Sequence, residues 1–301
     1  MKAIHMYAYG GPEVLRYEDA PRPVPSTGQV LVRAAGTSFN PGDAFVRSGG
    51  MRHRHEFAMP QILGMDLSGT VVELGPGVNA PTVGDQVISF LPWPANGGYG
   101  EYVAVPVEAL APAPVSIPLA DAAALPVAGL TAWQAIHEQL RLAPGQRILV
   151  NGAGGGVGRL AVQFAKVAGA TVVAVAGPRS VATAHAAGAD EVHDYSRPWH
   201  TEPVDAVLQA AGGGSDRLVA LIKPGGSIVS ITAPVPVNGR DVTSSTFELR
   251  SDIGQLTEIA RWVDTGAVTT GITERLPLSE LPAVHRRHAT GDLHGKVVLM
   301  P

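Results

Sequence analysis

The residues of this chain whose types and spacing could do chemistry form a glycine-rich turn, 152–158. An apolar run, 148–150, precedes the turn and has the length of a buried strand, and apolar residues at helical spacing follow it from Leu160. A phosphate approaches main-chain N–H groups only where no Cβ intervenes, and a helix N-terminus favours negative charge. The segment therefore predicts a dinucleotide-binding strand–turn–helix unit, although a purely structural turn would look alike.

Single positions within the turn have separate roles in this prediction. Gly155 would let the backbone meet a pyrophosphate, and Gly158 would let the helix pack close to the strand. Ala153 stands where the commonest form of the fingerprint has its first glycine.

The residues after the next strand, 171–176, discriminate between cofactors. An NAD site usually has Asp or Glu about 20 residues past the glycines, where it binds the ribose 2′-hydroxyl. Here no acidic residue occurs between Gly158 and Ala189, and the strand is followed by Gly177, Arg179 and Ser180. Because a guanidinium suits phosphate in charge and shape, we expect NADP(H) rather than NAD(H). The structural alternative is an arginine that caps the next helix.

Composition narrows the classes of partner. The chain has 301 residues, a formal net charge of −4 and no basic cluster, so nucleic acid is not expected as a partner. No apolar run reaches about 18 residues, and the N-terminal segment lacks the apolar core of a secretory signal. Cysteine is absent, which excludes disulfides, thiolate zinc sites and a cysteine nucleophile. We therefore expect a cytoplasmic protein without membrane association.

The texture of the chain indicates an α/β protein with two domains. Residues 1–115 read as short strands separated by Pro and Gly, which is typical of a small barrel or rolled sheet. From 116 strands alternate with helices, so we predict a doubly wound parallel sheet over 116–266. The tail, 267–301, resembles the first segment in its residue pattern and ends in a predicted strand. This suggests that it rejoins the first domain and makes that domain discontinuous.

Ordered motifs along almost the whole chain resemble one family. They include SFNPGD (38–43) followed by RSG (47–49), LGMDLSG (63–69), GDQV (84–87), GYGEY (98–102), LPVAGLTAW (125–133) and the terminal GKVVL (295–299). Together they resemble the zinc-free quinone oxidoreductase (zeta-crystallin-like) branch of the medium-chain dehydrogenase/reductase superfamily. The resemblance implies a Rossmann cofactor domain and a discontinuous GroES-like β-barrel domain.

The resemblance also implies roles for individual positions. Two of them, Asn40 and Thr131, would be catalytic and would lie beside the nicotinamide. Positions implied to contact the rest of the cofactor are Ala153, Gly154, Gly155, Gly156, Val157, Gly158, Gly177, Arg179, Ser180, Tyr195, Ala211, Thr232 and Phe247. Structural alternatives stay open, because Asn40 could be a turn residue, Thr131 a packed helix residue and Tyr195 a half-buried strand aromatic.

The chain departs from its resemblance at few positions. Phe45 stands where many relatives have a tyrosine near the substrate, which removes a phenolic donor. His53 and His55 lie in a charged run that invites a metal interpretation, but without further ordered ligands we interpret it as a solvated or lid loop. No metal site is predicted.

These features predict hydride transfer from NADPH to a quinone or an α,β-unsaturated carbonyl, in a cleft between the two domains and without zinc. For an enone a proton must follow, and Tyr99, a substrate-pocket hydroxyl and water are all open as donors. The alternatives are an enoyl thioester reductase, for which Arg47, Arg52 and Arg54 are the local basic candidates, and a non-catalytic NADPH-binding protein.

Two surface features complete the expectations. The segment 241–249 is a candidate edge strand, and the family resemblance implies a homodimer formed through such an edge. The loops 45–60 and 90–100 and the tail, 267–301, would shape the substrate pocket, and none of them has a readable specificity code.

Overall fold

The computed structural model describes residues 1–92, 94 and 97–301, so part of the loop 90–100 lies outside the described residues. The chain forms two compact units. The first contains 1–127, 251–264 and 272–301, and the second contains 128–250 and 265–271. Among the described residues, no helix has the length and apolar character that crossing a bilayer requires.

The first unit is mostly β-structure. Its strands are β1 (Lys2–Met6), β2 (Leu15–Asp19), β3 (Gln29–Ser38), β4 (Gln61–Ile62), β5 (Asp66–Leu74), β6 (Gln86–Phe90), β7 (Tyr102–Pro106), β8 (Ala111–Pro112), β15 (Ile272–Pro277) and β16 (Lys296–Met300). One sheet has the order β2-β1-β4, and a second has the order β15-β16-β3-β5-β6-β8 with β7 also paired to β3. The C-terminal strand β16 thus lies in the same sheet as the N-terminal strands.

Helices α1 (Pro41–Arg47), α6 (Ile253–Asp264) and α7 (Leu281–Thr290) belong to the first unit, and α2 (Pro126–Trp133) begins at its end.

The predicted boundaries at 115 and 266 differ from this division. Residues 119–124 pack on β3, β5 and β16, and Arg275 binds Asp121 with two contacts of 2.7 Å. The carboxylate of Asp264 accepts bonds of 2.8 Å from the N–H groups of Val115 and Ser116, which holds α6 to the same unit.

The second unit is a parallel α/β sheet, as predicted. Its strands are β9 (Arg147–Asn151), β10 (Thr171–Ala176), β11 (Glu191–Asp194), β12 (Val204–Gln209), β13 (Ile222–Ser230) and β14 (Val242–Thr246), in the order β11-β10-β9-β12-β13-β14. Every neighbouring pair is parallel. Helices α3 (Gly156–Val167), α4 (Val181–Ala186) and α5 (Ser215–Ala220) connect strands. This strand order is that of a doubly wound dinucleotide-binding sheet, with its switch point between β9 and β12.

The cores of both units follow from the apolar runs in the sequence. In the second unit Leu149, Val173 and Val207 are fully buried on adjacent parallel strands, as expected for a sheet that is covered on both faces. In the first unit the core under β3 and β5 is built from Val30, Leu67 and their neighbours. These cores fix the strand ends from which the candidate site residues project.

Candidate functional site

The glycine-rich turn connects β9 to α3 as the sequence predicts. Gly152 has φ +89°, a conformation that a side chain disfavours. A Cβ on Gly158 would lie 2.1 Å from the Gly152 oxygen, so only glycine lets the helix pack this close to the turn. A Cβ on Gly155 would meet nothing nearer than 3.5 Å, so the space beside Gly155 is open. The turn therefore combines a close internal contact at Gly158 with an accessible backbone at Gly155.

The first turn of α3 has the donors that a phosphate needs. Gly155 caps the helix in an extended conformation, and the first helical bond runs from the Arg159 N–H to the Gly155 oxygen. The N–H groups of 156–158 precede that bond, so they have no partner within the helix. The 12-residue helix adds the partial positive charge of its N-terminus. An exposed glycine beside these donors fits a pyrophosphate.

The residues predicted to surround a 2′-phosphate lie beside this turn. A Cβ on Gly154 would come within 2.3 Å of Ser180 Cβ, and a Cβ on Gly177 would lie 3.1 Å from the Tyr195 hydroxyl oxygen. Tyr195 is 65% exposed, so it is not the half-buried strand residue of the alternative interpretation. Arg179 is exposed, and in the part of the chain that the structure describes its guanidinium makes no hydrogen bond or ion pair. Ser180 thus lies against the glycine turn and Tyr195 against Gly177, and the exposed Arg179 belongs to the short segment 177–180 that joins these two contacts.

The remaining predicted cofactor contacts follow from the parallel sheet. In parallel strands the carboxyl ends lie at one edge, and the register aligns Asn151, Gln209, Ser230 and Thr246 across four strands. Ala211, Thr232 and Phe247 come directly after these ends, and Asn151 Nδ2 donates to the Ala211 oxygen at 3.2 Å. The structure therefore brings these three residues to the same edge as the glycine turn, where ligands of such sheets bind.

Beside this edge, a depression of about 430 Å³ extends along the end of β11. Its lining residues are Pro178, Val181, Val192, His193, Asp194, Arg197, Pro198 and Trp199. The imidazole of His193 stacks on Trp199 at 4.9 Å, and Arg217 lies 3.7 Å over the same indole. Two of its lining residues, Pro178 and Asp194, are the chain neighbours of Arg179 and Tyr195, so the depression lies next to those residues.

The two predicted catalytic residues lie in different units, and each has its own environment. Thr131 is buried in α2 of the second unit. Asn40 is buried in the first unit, directly after β3 and before α1. Its Nδ2 donates to Asp66 Oδ2 at 2.8 Å, and its Oδ1 accepts from Lys296 Nζ at 2.7 Å. Asn40 is therefore part of a side-chain network and not a simple turn residue.

Asp66 and Lys296 are the functional candidates that the sequence reasoning missed. Both stand inside quoted motifs, LGMDLSG and GKVVL, but no role was predicted for either. Asp66 Oδ2 also accepts from the Ser38 hydroxyl and from Lys296 Nζ at 3.3 Å, and its Oδ1 accepts from the Val127 N–H at 2.8 Å. The signal that could have found them is a charged residue within an apolar strand, because such residues are rarely buried without a partner.

A second buried pair adjoins this network. Asp43 accepts a bond of 2.9 Å from the Asn40 N–H and is hydrogen-bonded to Tyr99. Burial raises the pKa of Asp43 to about 7, against the opposing effect of the Tyr99 hydrogen bond. Burial and the nearby Asp43 hold the pKa of Tyr99 well above its usual range. Tyr99 is fully buried, so it is a poor candidate for delivering a proton to a substrate.

The charged run around His53 lies in a loop whose side-chain contacts the structure describes. Among the described residues, no group of three His, Cys, Asp or Glu side chains could hold a metal ion. His53 is exposed and His55 packs edge-on against Phe57 at 4.9 Å. The run contains an ion pair between Arg52 and Glu56, and Phe45 is 54% exposed on α1. These contacts fit a solvated loop.

Comparisons with known proteins agree with this geometry. Residues 26–115 match the alcohol dehydrogenase GroES-like domain, and 187–299 match a family described as zinc-binding dehydrogenase. The chain is 32% identical to a chloroplast envelope quinone oxidoreductase homolog of Arabidopsis thaliana, over all of this chain and 98% of that protein. It is also 32% identical to an NADPH-dependent alkenal/one oxidoreductase of the same plant, over all of this chain and 80% of that protein.

A solved structure gives the same result. The quinone oxidoreductase from Coxiella burnetii superposes with a TM-score of 0.92 and is 30% identical, with 100% of this chain and 99% of that chain covered. The match covers the GroES-like and Rossmann parts together, which confirms the predicted fold. The chain therefore belongs to the zinc-free quinone oxidoreductase branch of the medium-chain dehydrogenase/reductase superfamily.

Proposed function

We propose that this protein transfers a hydride from NADPH to a quinone or to an alkene conjugated with a carbonyl, and that it needs no zinc. The chain is an oxidoreductase, and its cofactor is NADP(H). The observation that carries the proposal is that Ser180 lies beside an open glycine turn and Tyr195 beside Gly177, and that the exposed Arg179 belongs to the segment that joins these contacts. No acidic residue occurs between Gly158 and Ala189. A guanidinium and two hydroxyl groups match a 2′-phosphate, whereas a carboxylate would repel it.

Each group of residues has a part in this proposal. The N–H groups of 156–158 hold the pyrophosphate, and Arg179 with its neighbours holds the adenosine end. Asn40 and Thr131 orient the nicotinamide end. When bound, NADPH supplies the hydride, and the protein contributes orientation and a dry environment. An acceptor that is already electron-poor needs no Lewis acid, which suits a chain without cysteine and without a ligand cluster among its described residues.

The environment of the basic residues weighs against the thioester alternative. A phosphopantetheine arm would need cations that are both accessible and unpaired, but Arg47 is buried and Arg52, although exposed, is paired with Glu56. Arg54 also has an interaction partner. Quinones and enones therefore remain the acceptors that we propose.

The experiment that tests this function is a steady-state acceptor panel. Protein treated with a chelator is mixed with NADPH and with three sets of acceptors, namely quinones, enones and enoyl thioesters. We expect turnover with the first two sets and no change on addition of zinc. Turnover confined to thioesters would favour the alternative, and tight NADPH binding without turnover on any set would indicate a non-catalytic protein. Activity that appears only with zinc would contradict the metal-free mechanism.

A further inference from the structure

The carboxamide of Asn40 is held at both ends, and the chemistry of its partners fixes which end is which. An ammonium group is only a donor, so the atom that Lys296 Nζ contacts at 2.7 Å is the amide oxygen. An ionised carboxylate is only an acceptor, so the atom 2.8 Å from Asp66 Oδ2 is the amide nitrogen. The opposite amide orientation would bring like groups together at both contacts. Asn40 therefore has one allowed orientation, with one amide hydrogen left for a ligand.

The two charged partners are themselves immobile. The side chain of Lys296 is 4% exposed and that of Asp66 is 0% exposed. Asp66 begins β5 and Lys296 begins β16, and both strands pair with β3, whose last residue, Ser38, also donates to Asp66. Lys296 Nζ makes a further contact of 3.4 Å to the Phe39 oxygen. Three strands thus carry one hydrogen-bonded group of side chains around Asn40.

Stability alone is a weak reason for such a pair. Removing two charges from water is costly, and well-packed apolar residues of similar size often stabilise a core as well or better. The cluster under β3 and β5 in the same sheet is apolar, with Val30, Val32 and Leu67 fully buried. Orienting an amide requires a donor at its oxygen and an acceptor at its nitrogen, and the buried Lys–Asp pair provides both.

We propose that Lys296 and Asp66 are positioning residues that orient the carboxamide of Asn40 toward the nicotinamide end of NADP(H). This inference rests on the proposed function, because it assumes that Asn40 contacts the cofactor there. Neither charged residue touches the cofactor in this proposal, since both act through Asn40. Their loss should consequently affect the nicotinamide end and leave the adenosine end unchanged.

The test measures binding without any acceptor present. The dissociation constants for NADPH and for 2′,5′-ADP are measured by fluorescence and calorimetry for the wild type, Lys296→Met, Asp66→Asn, Asn40→Ala and Asn40→Ala/Lys296→Met. We expect Lys296→Met and Asp66→Asn each to weaken NADPH binding by about tenfold, with 2′,5′-ADP binding changed by less than about twofold. In the Asn40→Ala background, Lys296→Met should cause less than about a twofold further loss, because residues that act as one unit are not additive.

A core variant controls for general destabilisation. Val105 is fully buried in a different cluster of the same unit, so Val105→Ala should lower the melting temperature without changing either dissociation constant. Asp66→Asn keeps the size of the side chain and covers the case in which Lys296→Met does not fold. Losses of Asn40→Ala and Lys296→Met that multiply, or equal losses for NADPH and 2′,5′-ADP, would overturn the inference. A wild type that does not bind NADPH would instead overturn the proposed function itself.

Discussion

At the scale of single residues, Arg179 and Asn40 have opposite environments. Arg179 is exposed and its guanidinium has no partner in the described part of the chain, whereas Asn40 is buried and both ends of its amide are engaged. A free side chain can be removed without disturbing the fold, so Arg179 reports on ligand binding alone. Asn40 reports on binding and on the network that holds it.

Replacing Arg179 by Ala should therefore change the choice between cofactors. We expect kcat/KM with NADPH to fall by about 10- to 100-fold, because a charge-assisted contact to the 2′-phosphate is lost, while kcat/KM with NADH stays within about twofold. Arg286→Ala removes an exposed guanidinium from α7 and serves as the matched control. An unchanged preference in Arg179→Ala would contradict the 2′-phosphate assignment.

Two buried residues of the first unit should give opposing pH dependences. The pKa of Asp43 is raised to about 7 in the folded state. Between about pH 4 and about pH 7 the folded state therefore binds more protons than the unfolded state, so the free energy of unfolding falls as pH rises through this range. Burial, with the charges of Arg47 and His288, lowers the pKa of His285 to about 3 in the folded state. Between about pH 3 and about pH 6.5 the unfolded state therefore binds more protons than the folded state, so the free energy of unfolding rises with pH. Each slope is at most about 1.4 kcal/mol per pH unit.

Single variants should separate these two contributions. In Asp43→Asn the free energy of unfolding should rise with pH between about pH 4.5 and about pH 6.5, because the His285 effect remains. In His285→Leu it should fall over the same range, because the Asp43 effect remains. Urea unfolding at several pH values measures both slopes. Equal slopes in the two variants would show that neither residue titrates as its burial requires.

At the scale of elements, the turn between β9 and α3 contains one glycine that the fold needs, Gly158, and one that ligand binding needs, Gly155. An alanine at Gly158 would collide with the Gly152 oxygen, but an alanine at Gly155 would fit the free protein, because its Cβ has 3.5 Å of clearance. The same alanine would project into the space where a phosphate approaches the N–H groups of 156–158. The two glycines thus fit the motif for different physical reasons.

We predict that Gly155→Ala lowers NADPH affinity by at least about tenfold and costs no more than about 1 kcal/mol of stability, because alanine is a poorer helix cap than glycine. Gly158→Ala should lower the melting temperature markedly. Thermal melting and fluorescence titration measure the two effects on the same samples. A Gly155→Ala variant that is strongly destabilised, or one that binds NADPH normally, would contradict the prediction that the pyrophosphate binds beside Gly155.

The sequence could predict the second unit better than the network around Asn40. Parallel buried strands form apolar runs in the sequence, so the runs 148–150 and 171–176 located β9 and β10 within about two residues, a usual margin for element boundaries. The short strand β11 carries Glu191 and Asp194 and was not predicted. The contacts of Asn40 with Asp66 and Lys296 join residues separated by 26 and 256 positions, and no local pattern encodes pairing at such distances.

At the scale of the whole molecule, β14 is the last strand of the parallel sheet, and no other strand among the described residues pairs with its outer side. It lies within the segment 241–249 that the sequence indicated, and its residues Thr243 and Thr246 are exposed. An open edge favours pairing with another strand, and we propose a homodimer formed through this edge.

We expect a solution mass of about twice 31.1 kDa at micromolar concentration, measured by light scattering. Thr243→Lys together with Thr246→Lys should shift the mass toward the monomer, because a two-fold axis brings like charges together across the paired edges. Lysines at the exposed positions Val24 and Val83 of the first unit are the control. A wild type that is monomeric under these conditions would contradict the dimer.

The most direct test of the central claim is a single-turnover experiment on metal-free protein. Protein saturated with NADPH is mixed rapidly with a quinone or an enone, and the absorbance of the reduced nicotinamide is followed. We predict that one equivalent of NADPH per site is oxidised faster than in a protein-free control, with the same rate after zinc is added. Oxidation no faster than in the control, or oxidation that begins only once zinc is present, would contradict the account.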